Sequence, residues 1–483
     1  MRYRIGFVLA VTACLLAVPA RAAVPVPEVI GPIAAPDAPG SPSHNYVFFA
    51  SNHDLTSRGY MEEEYFVKGT AATYKTGGTE TGEVASTGQI FYTRVVVRRP
   101  INPKRFNGTA IVEWTSDSNN FHAENVWFFG WHDMMRSGYA WVGVSPMTRG
   151  TNALKKWNPQ RYGALSVGQA AEGGGPGAPD VDAASFDIIS QVAQALKTPG
   201  TVGLLGGLKP KVVLATGESQ SAGRLVTYVN NIHPLVKVYD GFLLLTVNTP
   251  IRSDPISPVF RVQTEYDVLA GGAANWQPDS DKYREWDVAG SSHVDQVLRN
   301  SREPLEIRDL GSAVEATLAP QCLIPQLGTR TAKSQVVAAA FAHMARWAAG
   351  GKAPPIAPKL DLTQVNKPPV MSVARRNEFQ LAQGGIQLAS QVVPTQINHA
   401  VGVPRAAAGA GGGEGGNSGG GCRLWGATED MTVVQLKTLY PTHADYVAKV
   451  RKVTRDNVAK GFLLQVDGDD LVRAAELSAI GDW

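Results

Sequence analysis

Cysteine is scarce in this chain, with three among 483 residues: Cys14, Cys322 and Cys422. None lies within a Cys-x-x-Cys pair and no His-Glu-x-x-His occurs, so the sequence carries no metal motif and implies no metal. Charge of one sign is also lacking. Lys and Arg number 45 against 42 Asp and Glu, a net +3, and no basic block is interleaved with aromatics. Nucleic acid is therefore not an expected partner. Long apolar runs are missing beyond the first twenty residues, so no membrane span is expected. Gly173-Gly174-Gly175 sits in a polar stretch with no helix-opening pattern after it. Neither a dinucleotide loop nor a phosphate-binding loop is present, and no cofactor is implied. No internal repeat is visible.

What is present begins at the N-terminus. Arg2 and Arg4 precede an apolar run from Ile5 to Val18, and Ala20-Arg21-Ala22 fits a small-x-small cleavage site. Residues 1–22 read as a secretory signal, which implies a periplasmic or secreted protein. Cys14 leaves with that segment. Cys322 and Cys422 remain as an even pair in an oxidising compartment, and a disulfide between them is expected. Residues 23–45 are rich in Pro and Ala and read as an extended lead-in. Residues 46–483 read as one large domain with insertions. Hydrophobic residues make up 44% of the chain, enough for a substantial core.

Stretches rich in β-branched and aromatic residues at 64–69, 89–97, 109–114 and 139–144 predict strands. Further strands are predicted at 211–215, 236–245 and 259–263. Helical patterns at 121–137, 183–196, 222–231, 333–349 and 444–462 alternate with them or follow them. Apolar strands alternating with amphipathic helices imply an α/β fold. A mostly parallel central sheet would be flanked by helices, with an N-terminal β extension and an irregular, helical C-terminal region. The run at 406–421 is nearly all Gly and Ala and reads as a mobile loop, because it cannot bury enough surface to offset its ordering entropy.

The most telling stretch is Val212-Val213-Leu214-Ala215-Thr216-Gly217-Glu218-Ser219-Gln220-Ser221. An apolar run stops, the chain turns, and a serine is lifted at the start of a helix. This is the layout of a nucleophile elbow, with Ser221 where a second glycine is usual. A serine hydroxyl needs a base, an orienter for that base, and donors for the oxyanion that forms. His293, in Val288-Ala289-Gly290-Ser291-Ser292-His293, is the expected base; His233 and His399 are its rivals by chain order. Asp267 and Glu265 are the candidate acids at the end of the preceding strand. They are two residues apart, so in extended geometry they share one side, and reach favours Asp267. Asp287 is a weaker third. The Gln220 backbone N–H is one expected oxyanion donor. The other is sought in Thr115-Ser116-Asp117-Ser118-Asn119, at Thr115 or Ser116. Trp114, Trp127, Trp276 and Tyr266 are open to two readings, an apolar acyl site or core packing.

Several segments resemble the bacterial alpha/beta hydrolase domain-containing family. They are Met61 to Ala71, Arg98-Arg99-Pro100, Arg105-Phe106-Asn107-Gly108-Thr109, Val112-Glu113-Trp114-Thr115, Gly217 to Ser221, Gln263-Thr264-Glu265, Val288 to His293, Gly384-Gly385-Ile386, Leu439-Tyr440-Pro441 and Gly461 to Leu464. The resemblance covers nearly all of the mature chain. It implies the α/β-hydrolase fold and serine esterase activity, and it supports Ser219 and His293. It leaves Asp267 against Glu265 open, because the matching segment carries both acids. The reading is an exported serine hydrolase of carboxylic esters or lactones acting through an acyl-enzyme. The alternatives are an acyltransferase on the same scaffold and a non-catalytic binding protein with a hydrolase fold. The partner expected is a small-molecule ester or lactone; the sequence does not give the oligomeric state.

Overall fold

The computed structural model describes residues 24–168, 182–331, 333–405 and 420–483. The signal segment expected at 1–22 and nearly all of the Gly-rich run expected at 406–421 lie outside the described residues. The centre is a nine-stranded sheet. Its strands are β1 (Glu28–Ile30), β2 (Tyr60–Lys75), β3 (Glu83–Pro100), β4 (Thr109–Trp114), β5 (Ala140–Val144), β6 (Val212–Glu218), β7 (Gly241–Leu245), β8 (Val259–Thr264) and β9 (Tyr283–Val288). Their spatial order is β1-β2-β3-β5-β4-β6-β7-β8-β9. The six strands from β5 to β9 in that order run parallel, and β1 to β3 are antiparallel.

Parallel strands need crossovers, and helices supply them on both faces. Helices Asn125–Ser137, Gln296–Leu310 and Lys333–Ala348 share one core with Ile111, Leu214, Leu243 and Phe260. Helices Ser185–Lys197 and Gln220–Thr227 pack on the other face, with Val112, Val213, Ala215 and Phe242. The alternation of the strand side chains between these two cores explains why β4 to β8 are buried throughout and read as mostly apolar.

Several boundaries differ from those expected. Within the extended lead-in, Glu28–Ile30 forms β1 and pairs with β2. β2 and β3 extend well past their apolar centres, because their full-length pairing satisfies the backbone of the polar ends as well. β7 starts at Gly241, not 236, because Pro234 lies in a short helix, His233–Val236, before it. Helix Gln296–Leu310 gave no clear apolar signal: it is charged, and it buries Arg302, Glu306 and Asp309 alongside Leu298 and Leu305.

The β2–β3 hairpin is tied to the rest by buried ion pairs. Arg98 bonds Glu62 at 2.7 Å and Glu124 at 2.6 Å, with its guanidinium over the rings of Trp127 and Trp141. Arg94 pairs with Glu64, which also accepts from the Tyr162 hydroxyl at 2.8 Å. Such pairs fix orientation more than they add net stability. Glu113 in β4 accepts from the N–H groups of Val126 and Trp127 at 2.9 and 3.0 Å, anchoring the start of helix Asn125–Ser137 to the sheet.

Cys322 and Cys422 form a disulfide with a Cα–Cα separation of 5.5 Å. It fixes the short helix Gly420–Trp425 beside the segment that follows helix Gln296–Leu310. Among the described residues, no helix is long and apolar enough to cross a membrane.

Candidate active site

β6 ends at Glu218 and a helix starts at Gln220, so Ser219 alone makes the turn. Its backbone has φ 59° and ψ −120°, a sparsely populated conformation that neighbouring contacts must hold. The Ser219 N–H donates to the Leu245 carbonyl and to Thr246 Oγ1, each at 3.1 Å. Strand and helix approach closely here. A Cβ on Gly217 would meet Ser221 Oγ at 2.9 Å and the Ala222 nitrogen at 3.0 Å. Ser221 also explains why a hydroxyl stands at the position where glycine is usual. Its Oγ accepts from the Glu218 N–H at 3.0 Å and donates to the Glu218 carbonyl at 2.9 Å, stapling the turn.

His293 follows β9 on a loop anchored from three sides. Thr331 Oγ1 donates to the Gly290 carbonyl at 2.6 Å, and Ser292 Oγ lies 3.0 Å from Thr329 Oγ1. The buried Lys333 ammonium donates to the His293 carbonyl at 2.9 Å, and Val294 N–H donates to the Leu424 carbonyl at 3.2 Å. The last contact links the histidine loop to the helix that the disulfide fixes. The anchoring partners Thr329, Thr331, Lys333 and Leu424 lie well beyond the motif in the chain.

Of the two candidate acids, Asp267 faces the histidine: its Oδ1 lies 2.8 Å from His293 Nδ1. Glu265 points elsewhere, to Arg376 at 2.7 Å and to the Gly290 N–H at 2.7 Å. The two residues do not share a side, because the chain is not extended there. β8 stops at Thr264, and Glu265–Leu269 is a helical turn capped by the Thr264 side chain, which accepts from the Asp267 N–H at 3.2 Å. Thr264 Oγ1 also donates to Asp267 Oδ2. Asp287 stays within β9, beside Lys359 at 3.5 Å. His233 is buried, with Nε2 3.1 Å from the Tyr239 carbonyl, and burial lowers its pKa to about 4. His399 pairs with Glu429 at 2.7 Å on a separate small sheet.

Ser219 and His293 line one cleft, with Ser118, Asn119, Asn125, Glu218 and Trp425 around them. The cleft is small, about 30 Å³. A larger hollow of about 370 Å³ lies between helices His443–Ala459 and Gln465–Glu476, far along the chain from the serine and lined by no serine or histidine. Chemistry, not volume, singles out the smaller one. Glu218, which the motif reading passed over, is buried in the cleft. Its Oε1 lies 3.5 Å from His293 Nε2 and accepts from Thr246 Oγ1 at 3.0 Å, while Oε2 accepts from Asn125 Nδ2 at 2.9 Å.

The loop after β4 is clasped to the turn by the Gln220 side chain. Gln220 Oε1 accepts from the Asp117 N–H at 3.0 Å, and Nε2 donates to Asp117 Oδ1 at 2.9 Å. Thr115 and Ser116 do not offer the expected oxyanion donors. Their N–H groups donate to the Val144 and Ala123 carbonyls at 3.1 and 3.0 Å. Thr115 still continues the pairing of β4 with β5 and Ser116 bridges to Ala123 across its own loop, so both donors are spent before the loop reaches the cleft. Gln220 opens a helix, where N–H groups have no intrahelical acceptor. Of the four aromatics considered, Trp114 and Trp127 are core residues. Tyr266 stands edge-on to His293 at 6.0 Å between ring centres, and Trp276 lies under the Lys359 ammonium. The aromatic in the wall of the cleft is Trp425.

None of the curated proteins matches this sequence. Among solved structures, a serine hydrolase without a lid from Xanthomonas campestris is 14% identical, covers 50% of this chain and 93% of its own, and has a TM-score of 0.27. The esterase Est22 is 12% identical over 62% of this chain and 85% of its own, with a TM-score of 0.31. A glucuronoyl esterase from Solibacter usitatus is 10% identical over 54% and 83%, with a TM-score of 0.27. The description of the alpha/beta hydrolase domain family matches residues 29–473. The chain therefore belongs to that family of alpha/beta hydrolases.

Proposed function

We propose that this protein is an exported serine hydrolase of carboxylic esters or lactones. The observation that carries the reading is a serine on a strained strand-to-helix turn, in one cleft with a histidine whose Nδ1 lies 2.8 Å from a buried aspartate. Ser219 attacks the carbonyl and His293 takes its proton. Asp267 holds the imidazole and stabilises the imidazolium that forms. The Gln220 N–H, at the start of its helix, is one donor to the oxyanion. The loop that Gln220 clasps supplies the second through the Asn119 N–H, since Asn119 reaches the cleft wall. His293 then returns its proton to the leaving alcohol, and water releases the acid from the acyl-enzyme. Export is supported by the charged, apolar and small-residue pattern of residues 1–22 and by the Cys322–Cys422 bridge, a bond that persists in oxidising compartments.

The test is hydrolysis of 4-nitrophenyl acetate with water as the only acceptor. Ser219→Ala should keep the fold and lose activity by a factor on the order of 10³ or more. Folded Ser219→Ala with activity close to that of the native chain would remove the assignment.

A further inference from the structure

The wall of the cleft holds a cation that the hydrolytic mechanism does not use. Arg302, on helix Gln296–Leu310, lines the cleft with Ser219 and His293 although the residue is only 3% exposed. A guanidinium carries five N–H donors in a rigid fork, and burial normally commits them. Among the described residues, the ion-pair partner of Arg302 is Glu306, whose Oε1 lies 2.9 Å from Arg302 Nε. That oxygen nonetheless receives no aligned hydrogen bond. The other Glu306 oxygen accepts from the Val314 N–H at 3.0 Å, so Glu306 is fixed by its own partner. Among the described residues, no group accepts an aligned hydrogen bond from the Arg302 fork. The guanidinium also lies 5.5 Å from the centre of the Trp425 ring, itself a wall of the cleft. A flat ring on one side and a carboxylate at the Nε edge hold the fork in place.

The carboxylate that shares the cleft, Glu218, is already engaged. Both Glu218 oxygens accept hydrogen bonds, from Thr246 and Asn125. A buried, held guanidinium with uncommitted donors beside a nucleophile matches a planar anion presented by the substrate. We infer that Arg302 is the specificity determinant of this site, and that the preferred substrates are short esters or lactones bearing a carboxylate, which the Arg302 fork receives. The small cleft favours a short spacer between that carboxylate and the scissile carbonyl. The inference rests on the hydrolase reading above.

The carboxylate can sit on the acyl or the alcohol side, and two substrate pairs separate these. The full chain is assayed with mono-4-nitrophenyl glutarate against 4-nitrophenyl butyrate, and with 3-carboxyphenyl acetate against phenyl acetate. The native chain should prefer the charged member of one pair at least tenfold in kcat/KM. Arg302→Gln should reduce that ratio at least tenfold, and Arg302→Lys should keep part of it. A second measurement needs no turnover: calorimetric titration with glutarate, which the native chain should bind at least tenfold more tightly than folded Arg302→Gln. Ratios near one in both pairs, with no glutarate binding by the native chain, overturn the inference. Glutarate binding that depends on Arg302, with no ester hydrolysed at all, supports the anion site and overturns the hydrolase reading instead.

Discussion

Replacing Asp267 by Asn tests the division of labour between the two neighbouring acids. Asp267 is 3% exposed, and its Oδ1 lies 2.8 Å from His293 Nδ1. When His293 takes up the serine proton, that contact becomes an ion pair. Unit charges about 4 Å apart at an effective dielectric of about 20 attract by about 4 kcal/mol. At about 1.4 kcal/mol per tenfold in rate, losing the charge should lower kcat/KM by about 10³. An asparagine that turns its amide nitrogen to Nδ1 would also impose the wrong tautomer, deepening the loss towards about 10⁴. Glu265→Gln removes a charge just as buried, but that charge serves Arg376 and the Gly290 N–H. The neutral side chain can still accept from Gly290, so the expected loss is within about tenfold in activity, with a stability cost of about 1–3 kcal/mol. The assay is kcat/KM for 4-nitrophenyl acetate on variants whose circular dichroism matches the native chain. Near-native activity in Asp267→Asn, with a loss of order 10³ in Glu265→Gln, would refute the reasoning.

Two further expectations concern stability. Burial lowers the pKa of His122 to about 3 and that of His233 to about 4, from the ordinary 6.5. Both are thus neutral in the fold, while the unfolded chain takes up protons below the ordinary value. Their contribution is present above pH 6.5 and is lost as pH falls towards about 4 and then 3. Each shift is worth at most several kcal/mol, about 1.4 per pH unit. Guanidinium midpoints should fall between pH 7 and pH 4.5, and less steeply in His233→Gln; midpoints independent of pH would contradict this. The Cys322–Cys422 bridge spans 100 residues of sequence, for which chain entropy gives up to about 4–5 kcal/mol. The double Cys322→Ser, Cys422→Ser variant should be less stable by a large part of that. It should also lose activity at temperatures where it stays folded, because Leu424 and Trp425 border His293's loop and the cleft. Native stability and turnover in the double variant would show that the bridge positions nothing.

The parallel sheet was legible because strands buried on both faces are mostly apolar, and β4 coincides with the run at 109–114. The turn at Ser219 was legible because steric crowding restricts which residues surround it. What the sequence hid has physical causes. The side of Asp267 depends on a strand ending at Thr264, and a two-residue spacing means opposite things in a strand and in a helical turn. The oxyanion loop misled because Thr115 and Ser116 still spend their N–H groups on neighbouring chain segments, although β4 has formally ended. Helix Gln296–Leu310 was hidden because it buries ion-paired Arg302 and Glu306 where an apolar stripe would be looked for. Glu218, Arg302 and Trp425 meet only through long-range contacts, and single-chain patterns carry no sign of that meeting.

The central claim is that Ser219 is a nucleophile activated by His293. Its most direct test is labelling of the intact, folded chain with a fluorophosphonate, followed by peptide mass spectrometry. One adduct per chain is expected, on Ser219. It should be absent in Ser219→Ala and formed far more slowly in His293→Ala. An active chain that stays unlabelled, or that carries its adduct on another residue, would contradict the account.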